Sequence, residues 1–161
     1  MFTSIKESEF FFSHLKKDFR VLEYGSGQST IEIGNLTKEV ISIEHQRNWY
    51  DQMSMKIPGN VKIILKLPNV HYVEGADCGT YDQFKDYINE GRFHGMFDVI
   101  FIDGRARIEC AKICNEISHE NTIIFIHDFR SRYENYKLVL DHLTLISEVE
   151  DMAMFKIKKQ L

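Results

Sequence analysis

Val21-Leu22-Glu23-Tyr24-Gly25-Ser26-Gly27-Gln28-Ser29-Thr30 is an apolar run that ends on an acid, turns through Gly-Ser-Gly and enters a helical pattern through Ile31 and Ile33. A strand that feeds a glycine turn and then a helix N-terminus builds a nucleotide pocket, because helix-start amides face the ligand and glycine lets it approach the backbone. Gly25 and Gly27 are able to take φ > 0. Glu23 stands where a strand-end carboxylate would meet a cationic or hydroxylated part of the ligand.

Working outward, Val40-Ile41-Ser42-Ile43-Glu44 reads as the second strand. Glu44 closes it 19 residues after Gly25, matching the offset of about 20 at which a second-strand acid binds ribose hydroxyls. His45 follows, and 46–50 opens a helix. Its Trp49, the only tryptophan, either walls an adenine pocket or packs the helix. Residues 61–67 read as the third strand. The irregular stretch 68–80 is expected at the carboxyl edge of the sheet, with Tyr72, Asp77 and Cys78 as ligand contacts. A helix is predicted over 80–90. The fourth strand, 97–104, is almost wholly apolar, as in parallel sheets buried on both faces, and Asp103 closes it. A helix is predicted over 106–119. Thr122–Ile126 is the fifth strand and ends in His127-Asp128. A helix over 133–143 leads to strands at 143–147 and 153–158. Too few residues separate that last pair for a crossover, so they must form an antiparallel hairpin. Residues 4–17 read as an amphipathic helix lying on the sheet, with Phe10-Phe11-Phe12 as core, or as a lid over a ligand.

The pattern predicts an α/β fold: a doubly wound, seven-stranded, mostly parallel sheet with an antiparallel C-terminal hairpin strand. One domain, 1–161, is expected, with 1–19 as an N-terminal helix packing on the core. The 161 residues suffice for a real core. The net charge of −4 gives no nucleic-acid footprint, and no apolar run approaches the ~20 residues of a membrane span. Three cysteines, Cys78, Cys110 and Cys114, argue against a disulfide framework and for a reducing compartment, so a cytoplasmic location is expected. Cys110 and Cys114, spaced i, i+4 without nearby His or Cys partners, are a poor zinc pair and read as core residues.

With these residues in place, the chain resembles the class I S-adenosylmethionine-dependent methyltransferases, from about residue 20 to 158. Glu23-x-Gly25-x-Gly27 looks like the family's first motif, Glu44 like its ribose-binding acid, and Asp103 like the acid of its fourth motif, bordering donor and acceptor. The terminal hairpin is a hallmark of that fold. Leu22–Thr30, Ser42-Ile43-Glu44-His45 with Trp49-Tyr50, and Asp103-Gly104-Arg105-Ala106-Arg107 are similar to a small, mostly uncharacterised branch. Ile126-His127-Asp128 also looks like the plant glucuronoxylan methyltransferases. The chain departs from the family at a third glycine, where Ser29 or Thr30 stands, and it lacks an appended substrate-recognition domain. Acceptor is then expected to be held by core loops, or by a partner chain or second copy.

The resemblance implies S-adenosyl-L-methionine as cofactor, bound by Glu23, Gly25, Ser26, Gly27, Ser29, Glu44, His45 and Asp103. Methyl transfer from a sulfonium needs positioning above all, with removal of an acceptor proton where required. Asp103, His127 and Asp128 close strands four and five and are the catalytic candidates. His127 is suited by type to general-base work. Asp103 and Asp128 are alternatively ligands for Mg²⁺ or Mn²⁺, as in metal-dependent O-methyltransferases. Arg105, Arg107, Arg130 and Arg132 follow the two strand-end acids; they either bind an anionic acceptor bidentately or pair with nearby acids. The expectation is O-methylation of a small anionic or sugar-like molecule. The rivals are an NAD(P)-dependent oxidoreductase, which shares the glycine turn and second-strand acid, and a non-catalytic binding module on the same fold. Nucleic acid is disfavoured as substrate because no Asn-Pro-Pro-Tyr-type motif or Lys-Asp-Lys-Glu constellation is present.

Overall fold

A computed structural model describes residue 2, residues 4–73 and residues 78–158. Seven strands form one sheet: β1 Arg20–Tyr24, β2 Glu39–Glu44, β3 Val61–Leu65, β4 Phe97–Ile102, β5 Ser118–Ile126, β6 Leu143–Val149 and β7 Met152–Ile157, in the order β3-β2-β1-β4-β5-β7-β6. All neighbours are parallel except those of β7, which runs antiparallel to both β5 and β6. The chain moves outward from β1 through β2 to β3, then returns to the other side of β1 to lay down β4. The carboxyl ends of β1 and β4 therefore bound the crevice where such sheets bind ligands.

Six helices cover the sheet: α1 Ile5–Phe12, α2 Gln28–Leu36, α3 Arg47–Ser54, α4 Tyr81–Glu90, α5 Arg107–Ile113 and α6 Tyr133–Tyr136. Because successive strand residues face opposite sides, β1 sends Val21 to one core, with Phe11, Ile33 and Met53 of α1, α2 and α3. It sends Leu22 and Tyr24 to the other, with Tyr87, Cys110 and Tyr136 of α4, α5 and α6. Phe11 packs on Phe101 and Phe125 at ring-centroid distances of 4.6 and 4.9 Å, so the centre of the phenylalanine run is core rather than lid. Cys110 and Cys114 are buried as expected, and burial pushes both thiols up.

Three elements are shorter than their periodicity suggests. α1 stops at Phe12, where the Ser13 hydroxyl donates to the Phe10 carbonyl. α5 gives way to a 3-10 turn at Cys114–Glu116 and α6 to another at Lys137–Asp141. β5 starts early, at Ser118, because Thr122 bridges an irregularity in the β4 pairing. Its hydroxyl donates to the Phe97 carbonyl at 2.6 Å and accepts from the His119 amide at 2.9 Å.

Candidate functional site

The glycine turn after β1 lies against a second one after β4. Gly25 has φ +93°, and a Cβ there would stand 2.6 Å from the Cα of Gly104. Both the dihedral and the close approach require glycine. Gly27 is different. Its φ of −170° is extended, and a Cβ would meet nothing nearer than the Ser29 hydroxyl at 3.8 Å. Nothing within the chain requires glycine at 27, so the space beside it is an open cradle at the start of α2. Amides of a helix's first turn lack intrahelical partners and favour anionic or polar ligand groups.

This cradle opens into a cleft of about 540 Å³ bordered by Gly25, Gly27, Glu44, Trp49, Asp103 and Arg105. Glu44 closes its β2 wall and is nearly fully buried. Oε2 accepts from the Ser26 amide at 2.9 Å and the Ser26 hydroxyl at 2.7 Å; Oε1 accepts from the His45 and Gln46 amides, both at 2.8 Å. Burial alone would raise its pKa, but the His45 ring beside Oε1, with the Ser26 hydroxyl and the Gln46 amide, holds it below the usual carboxylate range. The Trp49 indole N–H donates to the Ser26 carbonyl, so the ring walls the cleft while remaining partly exposed. His45 also lines it, packed edge-on against Phe84 and Tyr87. Its Nδ1 lies 3.2 Å from Glu44 Oε1, and its Nε2 is buried without a hydrogen-bond partner.

Glu23 is not on the cleft. Its carboxylate has no exposed surface and accepts from Ser29 at 2.8 Å and from Thr30 and Ser42 at 2.6 Å. Burial pushes its pKa up to about 7, which those three hydroxyls only partly offset. The expected ligand contact is thus an internal clasp joining β1, β2 and the first turn of α2. Ser29, at the missing third glycine, is one arm of that clasp and still borders the cleft.

On the β4–β5 side, Asp103 reaches the cleft while His127 is buried behind it. His127 Nδ1 lies 3.0 Å from Asp103 Oδ1 and 3.5 Å from Asp128 Oδ1; Nε2 lies 3.4 Å from Glu7 Oε2. Burial opposes protonation, yet the Asp103 hydrogen bond and the charges of Asp103, Asp128 and Glu7 raise the pKa of His127. Asp103 is lowered despite its own burial, by His127 and Arg107. A buried histidine with carboxylates at both nitrogens is held toward its protonated form, which sets it against the general-base work expected from its residue type. Glu7 was missed as a site residue. Ser4-x-x-Glu7 has the form of a capping box, and Ser4 does cap the Glu7 amide at 3.2 Å. The carboxylate instead turns inward and is fully buried.

The four arginines divide: Arg105, Arg107 and Arg132 line the cleft and Arg130 does not. Arg107 is 5% exposed. Its Nη2 lies 2.9 Å from Asp128 Oδ2 and 3.4 Å from Asp103 Oδ1, and its Nη1 donates to the His127 carbonyl. Arg130 points away, 2.6 Å from Glu148 on β6. Arg105, over the Tyr72 ring at 5.5 Å, and Arg132 border the cleft together with Lys56. Of the irregular-stretch candidates, Cys78 is half-buried and Tyr72 packs on Phe84; Asp77 lies outside the described residues.

By sequence the chain matches no family model and no curated protein. Its backbone is similar to several solved methyltransferases. A methyltransferase-like protein from Silicibacter pomeroyi superposes with a TM-score of 0.76 at 20% identity, over 99% of this chain and 89% of that one. An N-methyltransferase from Bradyrhizobium japonicum, solved with S-adenosyl-L-homocysteine, gives 0.62 at 10% identity, over 95% and 84%. A TehB-like S-adenosylmethionine-dependent methyltransferase from Corynebacterium glutamicum gives 0.61 at 12% identity, over 96% and 89%. The chain has the class I methyltransferase fold.

A methyltransferase-fold donor site needs a backbone cradle, a ribose acid and flat walls for a base. Gly27, Glu44, Trp49 and the partnerless Nε2 of His45 fit that demand. A divalent metal is not a comparable fit. Donor atoms of Asp103, His127 and Asp128 lie within 4.8 Å of one another, but the Arg107 guanidinium already contacts both carboxylates. An added ion would meet this cation and a histidine held toward its protonated form at close range. Among the described residues, no helix is long and apolar enough to cross a membrane.

Proposed function

We propose that the protein transfers a methyl group from S-adenosylmethionine to a small molecule. The observation that carries this is the Gly27 cradle opposite Glu44, at the switch point of a methyltransferase-fold sheet. When bound, the donor supplies a methyl on a sulfonium that departs as a neutral thioether. The chain's own residues bind and orient. Glu44 would take a ribose hydroxyl in exchange for the Ser26 hydroxyl, a donor free to rotate away. Trp49 and His45 would hold the base. Arg105 and Arg132 would meet the donor's carboxylate, so they do not by themselves call for an anionic acceptor. Asp103 would face the reacting centre, its carboxylate fixed by His127 and Arg107. The anionic acceptor suggested by the sequence loses the support of Arg130, paired to Glu148, and of Arg107, whose guanidinium is matched by Asp103 and Asp128.

Calorimetric titration with S-adenosylmethionine, S-adenosylhomocysteine, NAD and NADP tests the donor. The sulfonium compound and its product are expected to bind, and Glu44→Gln to weaken them by roughly tenfold or more, the loss of about one charge-assisted hydrogen bond. Binding of a nicotinamide cofactor alone would overturn the reading.

A further inference from the structure

Beside the donor cleft lies a second cavity of about 450 Å³, between the first turns of α1 and α2. Phe2, Ser4, Ile5 and Ser8 form one wall; Gln28, Ser29 and Glu32 form the other. Both sets follow from helical spacing. Ser4 and Ser8, and Gln28 and Glu32, lie four apart and share a face. Gln28 and Ser29 border both cavities, so a molecule seated here would adjoin the donor at the α2 N-terminus.

The lining has a definite chemistry. Phe2 is half-buried, its ring resting on Phe101 at 5.7 Å and against His127 at 6.0 Å. Ile5 is 77% exposed, a large aliphatic side chain at the rim of a helix whose other apolar residues are buried or half-buried. Glu32 is half-buried, and its carboxylate makes no hydrogen bond or ion pair with another described residue. Charged groups pulled from water are normally paired. An unpaired carboxylate facing an aromatic and an aliphatic wall complements a cation carried on an apolar body. The cavity is also the right size for a small organic molecule.

A primary amine would bind as its ammonium, and the Glu32 carboxylate it pairs with would take up the proton it must release before its lone pair can accept a methyl group.

We propose that this second cavity is the acceptor subsite and that it takes an amine-bearing molecule with an aryl or alkyl body, the amine paired to Glu32 and the body lying on Phe2 and Ile5. The assignment of the cavity as acceptor site rests on the donor reading above; its selectivity for amines does not. The test uses 2-phenylethylamine, 2-phenylethanol and 3-phenylpropanoate as probes. Each is titrated by protein NMR into the wild-type chain and Glu32→Gln, with and without S-adenosylhomocysteine. The amine is expected to bind at least tenfold tighter than the alcohol or the acid, with shifts at Ile5, Ser8 and Gln28. Glu32→Gln should abolish that preference while leaving S-adenosylhomocysteine affinity unchanged. Ile5→Ser should weaken amine and alcohol alike. An amine that binds no better than the alcohol, a preference that survives Glu32→Gln, or shifts confined to Arg105 and Arg132 would overturn the proposal. Amine binding at Glu32 in a chain that does not bind S-adenosylhomocysteine would keep the selectivity and overturn the donor reading and the acceptor assignment with it.

Discussion

Glu23→Gln tests the clasp beneath the glycine turn. In the unfolded chain this carboxyl ionises near 4.5; in the folded chain its burial moves that to about 7. Each tenfold difference in proton affinity corresponds to about 1.4 kcal/mol. Between those pH values the folded state holds a proton that the unfolded state has released. Stability therefore falls as pH rises, by about 3 kcal/mol once both states are ionised. Glutamine keeps the shape and removes the titration, and the Ser29, Thr30 and Ser42 hydroxyls can rotate to accept from its amide. Urea unfolding of wild type and Glu23→Gln at half-unit steps from pH 4.5 to 8.5 measures the effect. All other titrating groups cancel in the difference. The variant should gain about 3 kcal/mol on wild type across that range. Parallel curves, or a wild type that gains on the variant as pH rises, would refute the assignment of a raised pKa to this carboxyl.

Gly25→Ala and Gly27→Ala should separate folding from binding. The first meets a positive φ and a backbone atom at 2.6 Å and is expected to cost at least about 2 kcal/mol in denaturant unfolding. The second should change stability by less than about 0.5 kcal/mol yet weaken S-adenosylhomocysteine in calorimetry; equal effects of the two would contradict the cradle. Arg107→Met strands two carboxylates beside His127 and should cost about 3–5 kcal/mol, read as a lowered urea midpoint. His127 contributes stability below its unfolded pKa of 6.5 that fades as pH climbs through the raised folded value. Glu7→Gln should bring that folded value down, as followed by the ring ¹⁵N shifts of His127, and an unmoved titration would show that Glu7 is not its partner.

The sheet was legible because its strands are punctuated. Apolar runs end on Glu44, Asp103 and His127-Asp128, and the short turn at Glu150-Asp151 left only a hairpin. The cleft's place was legible for the same reason, since Gly27 follows a strand end, Glu44 closes one, and both border it. Glu23 misled because a strand-end acid looks the same whether it meets a ligand or three hydroxyls, and Ser42 comes from another strand. The arginine pairs misled similarly. Spacing places Arg107 and Arg130 after strand ends but does not say which carboxylate each will meet, and Arg130 finds Glu148 on a strand laid down later. Glu7 was hidden by its resemblance to an ordinary helix-start acid; its partner His127 is 120 residues away.

The same Glu7 carboxylate also accepts from the Asp151 amide at 2.8 Å, a contact spanning 144 residues, and the Ser4 hydroxyl donates to Glu150. The first helix is thus fastened to the final turn. α1 can dock Phe11 on Phe101 and Phe125 beforehand, but these two polar contacts wait until that turn has been made. Likewise β6 joins the sheet only through β7, which is synthesised after it. A chain halted before Met152 would carry the glycine turn and the cleft residues but an open edge on β5 and a β6 with no sheet neighbour. Closure over such sequence distances is slow. The interval before β7 is laid down is therefore when that edge is open to pairing with another chain.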